Sequence, residues 1–595
     1  MNRGHGRGPL RKGPKLEKGA TKYVLKYIWK YIKKYPVHLV IVTIAIILGS
    51  AFSLSLPILV QVFIDNHVDA EVIDMTGLLL IVGGIIAGTI LVSITTYFQS
   101  YLMAVAASRA TKEIRHDAFN KLTDLPIKYY DTNLHGDIMS KLTNDVDAIS
   151  QAISQVIPQL ITTIITFVGA IVLMFVTSWQ LALVAVIAIP LAIITTGIIL
   201  KKGNKYYSVQ QQAVGEMNGL VEENINGLKV VKLYNQEAAM NDRFAVMNEK
   251  IRKASYSGQI YTGMMMPVIR LIDNIIYGLL VGVGAILNIN YGLSVGKIAS
   301  MTQFARMSTR PINNLAQVFG ALQIAIAGGY RVFKLMDEQD EYVGTSNELI
   351  KDTKGHIEFE NVRFSYEENE EVLKGISFEA NSGETIAIVG PTGSGKTTII
   401  NLLTRFYDPN SGRILLDGVD INEYAKRSLR TQVGIVLQST YLFKGTVLDN
   451  IRYGRPTATE AEVVDAAKLA QVHDIIERLP NKYHTRVREG GLNFSHGERQ
   501  LISIARTILF NPSILILDEA TSSVDTRTES RIQKSMEMVT EGRTSFIIAH
   551  RLQTIRNADK VLVIKNGEII EQGNHDELIK KNGLYAEMHR AQFDI

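Results

Sequence analysis

The residues best suited to chemistry lie in two short stretches of the C-terminal half. The first is Gly390-Pro391-Thr392-Gly393-Ser394-Gly395-Lys396-Thr397, which follows the strand-like run ETIAIVG and opens a helical pattern. This is the GxxxxGK[ST] spacing in a strand–loop–helix setting. Its glycines let backbone N–H groups close on phosphate oxygens, and the helix N-terminus adds a favourable dipole. Lys396 is expected to reach the β- and γ-phosphates, Thr397 to ligate Mg²⁺, and Thr398 to extend the ATP-binding run. The second stretch is Ile514-Leu515-Ile516-Leu517, ending in Asp518-Glu519. Four apolar residues suit a strand buried in a parallel sheet. The acids at its end suit separate roles: Asp518 in the Mg²⁺ shell, and Glu519 polarising the attacking water. The two stretches together predict Mg²⁺-dependent ATP hydrolysis.

Elements that could carry these groups begin near Gly355, where short β-branched strands such as HIEFENVRFSY alternate with helical stretches and glycine turns. Residues 356–595 therefore read as an α/β P-loop NTPase domain. Residues 21–335 are different, and 336–355 read as a linker. The chain has 595 residues, 20% of them charged, and a net charge of +5, averages that mix two unlike halves. The absence of cysteine excludes disulfides, thiolate metal sites and a catalytic cysteine. The modest charge gives no support to nucleic-acid binding.

Six apolar runs reach the length that a bilayer-crossing helix needs. They cover about 37–64, 77–105, 157–177, 180–200, 263–288 and 295–325. The fold class expected is thus a six-helix α-helical membrane domain followed by the NTPase domain. The N-terminus and segments 106–156 and 201–262 are rich in Lys and Arg, which places them and the ATPase on the cytoplasmic side of a cell membrane. The first outer loop holds Asp65, Asp69, Glu71 and Asp74, either as a solvated loop or as a cation-attracting mouth. The first 35 residues carry 11 Lys or Arg against one acid, Glu17. Residues 1–20 read as a disordered basic tail. In 21–35, Tyr23, Ile28, Tyr31 and Ile32 alternate with lysines, a pattern that suits a helix lying on an anionic leaflet. The apolar run that follows continues past a signal-peptide core without a cleavage motif, so a cleavable signal is not expected. Richness in Lys and Ile suggests a bacterial source.

Both long cytoplasmic segments read as helical extensions of the spans. They are interrupted at Tyr129–Gly136 and near Asn226-Gly227-Leu228, turns well placed to touch a cytoplasmic domain. Charges within spans are costly, about 2.5–3.5 kcal/mol each at the centre. Arg270 and Asp273 in span 5, and Arg306 and Arg310 in span 6, should therefore face a bundle interior or a wet cavity. They either line a transport path or form an internal pair that fixes helix packing. Pro311 is expected to bend span 6.

With these motifs in place, the last 240 residues resemble the nucleotide-binding domain of ABC transporters. Nearly the whole chain resembles a multidrug-exporter-type half-transporter, like the catalytic-glutamate-bearing subunit of heterodimeric bacterial exporters. The resemblance implies that Tyr366, in Arg363-Phe364-Ser365-Tyr366, stacks on adenine. It implies that Gln438 senses Mg²⁺ and contacts the membrane domain. Asp525, in Ser522-Ser523-Val524-Asp525, would cross a dimer interface, and His550 would act as the switch histidine near the γ-phosphate. It further implies two such domains sandwiching two ATP molecules, with ATP closure turning a cavity outward and hydrolysis resetting it.

The family signature Leu-Ser-Gly-Gly-Gln reads here as Phe494-Ser495-His496-Gly497-Glu498. By the resemblance, Ser495, His496, Gly497 and Glu498 face the partner subunit's ATP. His496 replaces a glycine that tolerates φ > 0, and Glu498 brings negative charge toward a phosphate site. A complete ATP-holding side with an altered signature fits one half of a heterodimer, exporting hydrophobic or amphipathic drugs or lipids. A dedicated peptide or lipid flippase is the alternative, and an ATP-gated anion channel a more distant one.

Overall fold

The structure, a computed structural model, describes residues 19–68, 75–343, 346, 348–350, 353–367, 370–438, 440–518, 526–548 and 555–593. The chain divides into two compact units. One comprises Met1–Thr123 and Leu134–Glu338; the other comprises Asp124–Asn133 and Gln339–Ile595.

The first unit is helical. Its elements are α1 (Ala20–Ile32), α2 (Pro36–Phe63), α3 (Met75–Thr123), and, after the turn helix α4 (Ile127–Thr132) that belongs to the second unit, α5 (His135–Thr177). These are followed by α6 (Trp179–Val186), α7 (Ala188–Asn226), α8 (Glu237–Tyr291) and α9 (Val295–Asp337). Among the described residues six helices are long and apolar enough to cross a membrane. Large apolar side chains on them, such as Leu80, Val172 and Ile193, lie exposed, as surfaces solvated by lipid chains require.

The expected spans overlap these helices, with local differences. The fourth span breaks at Ile187. Pro190 lacks the N–H that would bond the Val186 carbonyl, so the helix restarts there. Helix α9 runs through Pro311 without interruption.

Asp65 was expected in a solvated or cation-attracting loop, and the structure gives it a different task. A single π-turn, Ile64–Val68, extends α2. It aims the Asp65 carboxylate at the start of α9, where it accepts from the Ser294 hydroxyl at 2.9 Å and the Gly296 N–H at 2.8 Å. A carboxylate on orphan N–H groups at a helix N-terminus is favourable. Asp69, Glu71 and Asp74 lie outside the described residues, as do residues 1–18 of the basic tail.

Helix α1 also differs from expectation. The face bearing Ile28, Tyr31 and Ile32 does not lie on lipid; with Val24 it is buried in a core shared with α3, α5 and α9. Leu25 and Trp29, on the other side, are the exposed apolar residues. The packing is sealed by tyrosines: Tyr23, Tyr27 and Tyr31 are spaced four apart on one face of α1, and Tyr35 follows in the turn before α2. Tyr23 and Tyr27 donate to Asp337, Tyr31 to Asp117 at 2.8 Å, and Tyr35 to Glu113 at 2.8 Å. Burial, reinforced by the Asp337 carboxylate, pushes the Tyr27 phenol up to about 12.

The second unit holds two principal sheets. The smaller runs in the order β2-β1-β4-β5, from β1 (Ile357–Ser365), β2 (Glu371–Ala380), β4 (Ser411–Leu416) and β5 (Val419–Asp420). The larger has the order β12-β11-β3-β10-β9-β6. Its strands are β3 (Thr385–Val389), β6 (Val433–Val436), β9 (Ile514–Asp518), β10 (Thr544–Ile548), β11 (Lys560–Lys565) and β12 (Glu568–Gly573). Strands β11, β3, β10, β9 and β6 pair in parallel. Buried strands such as ILIL and TSFII read as continuous apolar or β-branched runs because both faces are covered. A short two-stranded ribbon, β7 (Gly445–Thr446) with β8 (Arg486–Val487), completes the set.

Candidate nucleotide site

In an open parallel sheet, ligands gather beyond the carboxyl ends of the strands. The register brings the expected residues to that edge. Ile548 pairs with Asp518, Val436 with Leu517, and Ile548 with Ile388. The edge therefore collects the loop 390–395 after β3, Gln438 after β6, and Asp518 at the end of β9. Glu519, His550 and Asp525 fall outside the described residues, so their positions rest on the sequence alone.

The loop is shaped for close backbone approach. Gly390 has φ +154°, and a Cβ there would sit 2.1 Å from the Ile564 carbonyl oxygen. Gly395, at φ +106°, is the residue before helix α10 (Lys396–Leu403). Within this loop Lys396 is buried, and its ammonium donates to the Gly390 and Pro391 carbonyls, each at 2.8 Å. Burial pushes the Lys396 ammonium below its usual value, and the Asp518 carboxylate only partly offsets this. The Ser394 hydroxyl is buried with no hydrogen-bond partner among the described residues. A desolvated cation and an orphan hydroxyl at one loop are what an incoming polyanion would satisfy. Pro391, Thr392, Gly393 and Thr397 are exposed on the same loop and first helical turn, whereas Thr398 is buried.

Tyr366 stands at the end of β1 with 38% of its surface exposed. Its hydroxyl lies 3.3 Å from the Thr398 hydroxyl and accepts from Asn401 Nδ2 at 3.0 Å. Both partners are on α10, so a ring able to stack on a base is fixed to the helix that follows the phosphate loop. Asn401 had no motif to announce it in the sequence. Thr397, Gln438 and Asp518 offer one carboxylate and two neutral oxygens. That donor set suits Mg²⁺, which is bound by one or two carboxylates and keeps phosphate oxygens and waters as its other ligands.

The altered signature opens helix α12 (His496–Phe510). Ser495 is its N-cap and forms a reciprocal capping box with Glu498. The Ser495 Oγ accepts from the Glu498 N–H at 3.2 Å, and a Glu498 carboxylate oxygen accepts from the Ser495 N–H at 2.8 Å. Glu and Gln serve this box equally, so replacing glutamine by Glu498 keeps the helix start intact. The difference is one negative charge at the helix N-terminus. His496 is helical rather than in the left-handed region, so it carries no backbone strain, and its Nδ1 is buried without a partner among the described residues.

In the spans, Arg270 and Asp273 share a helix face but form no ion pair among the described residues. Asp273 accepts from the Thr309 hydroxyl at 2.8 Å, which ties α8 to α9. The Arg306 guanidinium lies 5.5 Å from the centre of the Tyr277 ring, within cation–π range. Arg270 is exposed. Arg310 lies within α9.

Contacts from outside the motifs hold the linker to the ATPase fold. Arg430, on α11 (Lys426–Gln432), forms a bidentate pair with the buried Glu341 carboxylate at 3.0 and 2.5 Å. Arg427 covers the Tyr342 ring at 4.5 Å. The Glu341 N–H donates to the Asp124 carbonyl at 2.8 Å, joining segment 124–133 to the same unit.

Lipid-exposed helices in one unit and a phosphate-binding parallel sheet in the other define a membrane-embedded P-loop ATPase. Residues 39–312 match the family model for the ABC transporter transmembrane region, and residues 373–522 match the ABC transporter model. The chain is 38% identical over 557 residues to the uncharacterized ABC transporter ATP-binding protein YfiC of Bacillus subtilis, covering 93% of this chain and 92% of that protein. It is 40% identical over 493 residues to the fatty acid ABC transporter ATP-binding/permease protein of Mycobacterium bovis, covering 83% and 78%. A solved bacterial Atm1-family ABC exporter with ATP bound aligns over 94% of this chain and 98% of its own, with TM-score 0.76 and 30% identity. The chain belongs to the ABC transporter family and is an ATPase-coupled, multi-pass membrane exporter.

Proposed function

We propose that this chain is one half of an ATP-driven exporter of hydrophobic or amphipathic compounds, lipids or drugs. The observation that carries the reading is the union, in one chain, of lipid-exposed spans with the Gly390–Thr397 loop and its desolvated Lys396. The fatty-acid relative supports a cargo of long apolar chains. Tyr366 stacks on adenine, the loop N–H groups and Lys396 hold the phosphates, and Thr397, Gln438 and Asp518 hold Mg²⁺. When bound, that ion neutralises charge developing on the transferring phosphoryl group. Glu519 orients the attacking water and His550 contacts the γ-phosphate. The N-terminus and the ATPase unit face the cytoplasm, as the basic segments favour.

The working unit is a pair of half-transporters, with a heterodimer favoured. The ground is electrostatic: Ser495–Glu498 and Asp525 face the partner subunit's ATP, and the Glu498 carboxylate occupies the helix end that an anion would otherwise use. Of the four charged residues singled out in the spans, Asp273 and Arg306 have structural partners, which leaves Arg270 and Arg310 as the candidates for the transport path. The test is ATP turnover in lipid vesicles by the purified chain alone and with a second half-transporter that carries an unaltered signature. Weak turnover alone, restored by the partner together with outward movement of a fluorescent lipid or dye, is expected. Full drug-stimulated turnover by the chain alone would refute the heterodimer, and ATP turnover without movement of any apolar cargo would refute export of such compounds.

A further inference from the structure

Charge within the spans is unbalanced. The six apolar runs hold five charged residues: Arg270, Asp273, Lys297, Arg306 and Arg310. Lys297 stands at the outer end, where the Asp65 carboxylate accepts from the neighbouring Gly296 N–H. That leaves three arginines and one acid at depth. A network that served packing alone would balance, because an unpaired charge at membrane depth is costly.

The one acid does not compensate an arginine. Asp273 accepts from the Thr309 hydroxyl at 2.8 Å. One turn further along the same antiparallel contact, the Tyr277 ring meets the Arg306 guanidinium at 5.5 Å. A ring face offsets part of a cation's charge and supplies no counter-ion. Arg310 follows Arg306 by one turn of α9. Arg270 shares the Asp273 face of α8, is exposed, and has no hydrogen bond or ion pair among the described residues. Met266 and Tyr277, one and two turns away on that face, are exposed as well. A free guanidinium fork is thus flanked by apolar surface. The fork matches a carboxylate or phosphate with two parallel N–H···O bonds. Positive charge in excess within low-dielectric walls concentrates anions and repels cations.

We propose that the path along spans 5 and 6 is charge-selective: its cargo is an amphiphile with an oxyanion headgroup, and Arg270 is the residue that recognises that headgroup. The inference deepens the reading of the chain as an exporter of amphipathic compounds and rests on it. It sets hydrophobic cations apart as poor cargo.

The test uses the full-length chain in lipid nanodiscs, with binding measured by calorimetry against empty nanodiscs. The probes are laurate, dodecanol and dodecyltrimethylammonium, which share one chain length and differ in headgroup charge, and acetate, which has the headgroup without the chain. Laurate is expected to bind at least about tenfold tighter than dodecanol, the low end of what a charge-assisted hydrogen bond supplies. The cation should bind weakest of the three amphiphiles, and acetate should not register. Arg270→Gln should lose most of the tenfold factor. Arg270→Lys, which keeps the charge, should retain the preference for laurate over the cation, and so separates charge from a general loss of folding. Equal binding of laurate and dodecanol by the unaltered chain would overturn the proposal, as would tighter binding of the cation or a preference undiminished in Arg270→Gln. Acetate binding as tight as laurate would overturn the amphiphile class. Failure of the export reading registers separately, as an intact binding preference with no movement of any amphiphile across vesicles that hold the chain with its partner.

Discussion

Glu498→Gln removes one negative charge from the first turn of α12 and leaves the hydrogen bonds of that turn in place. The Ser495–Glu498 capping box needs only an acceptor at residue 498, which a glutamine side-chain carbonyl supplies. What is lost is the attraction between a carboxylate and the positive helix end, about 0.3–1 kcal/mol for a partly exposed group. The ATPase unit should therefore lose that much stability, a fall in Tm of about 1–4 °C for a domain of this size. The same charge works against any phosphate approaching the N-terminus of α12. Removing it should tighten nucleotide binding at that signature by about two- to fivefold, the equivalent of the same energy. The assay is ATP titration of the assembled exporter by calorimetry, alongside scanning calorimetry of the variant. The two effects have opposite signs, so a general loss of folding cannot imitate them. Unchanged or weaker ATP binding in Glu498→Gln would refute the electrostatic account of the altered signature, and with it the main ground for unequal sites.

Three further outcomes follow from the geometry. Arg430→Ala leaves the buried Glu341 carboxylate without its bidentate partner, a loss of about 3–5 kcal/mol; denaturant unfolding should show it, and Glu341→Gln in the same background should recover part. Gly390→Ala puts a methyl group 2.1 Å from the Ile564 carbonyl, so ATP affinity should fall at least tenfold, a loss that calorimetry would detect directly. Burial tends to raise the Asp417 pKa, but the Thr353 hydroxyl and the N–H groups of His356, Lys354 and Gly355 outweigh it and hold the carboxyl below its usual range. The stability it contributes is present above the unfolded value of about 3.9 and is lost as pH falls through the lower folded value. Unfolding followed from pH 6 to pH 2 should show that loss, and Asp417→Asn should flatten the profile.

The parts of this protein that are local in sequence were legible in it. The phosphate loop could be read because strand, glycine turn, lysine and helix follow one another within a dozen residues. The spans could be read because twenty apolar residues in a row leave few other readings. Groups joined across long separations were not legible. Tyr407 and Asp131 are 276 positions apart, and Tyr23 and Asp337 are 314 apart, with no motif linking either pair. The alternation of Tyr23, Ile28, Tyr31 and Ile32 with lysines was visible, but an amphipathic pattern specifies only that one face is buried. Lipid and a neighbouring helix satisfy it equally, and here the acids of α3 and α9 decided for the helix. Asp65 went unread for a related reason: only a π-turn aims it at α9, and that turn has no sequence signature.

The assignment of Asp124–Asn133 to the ATPase unit bears on how such proteins can be recombined. A chimera cut at the linker alone would leave behind part of the ATPase fold: the buried Leu125, the Asp124 carbonyl that receives the Glu341 N–H, and the acid that receives the Tyr407 hydroxyl. Exchange between relatives therefore calls for two grafts, one at each sequence position. Drift in one piece is also constrained by the other, so the boundary that matters for modular exchange is not the boundary between apolar and polar sequence.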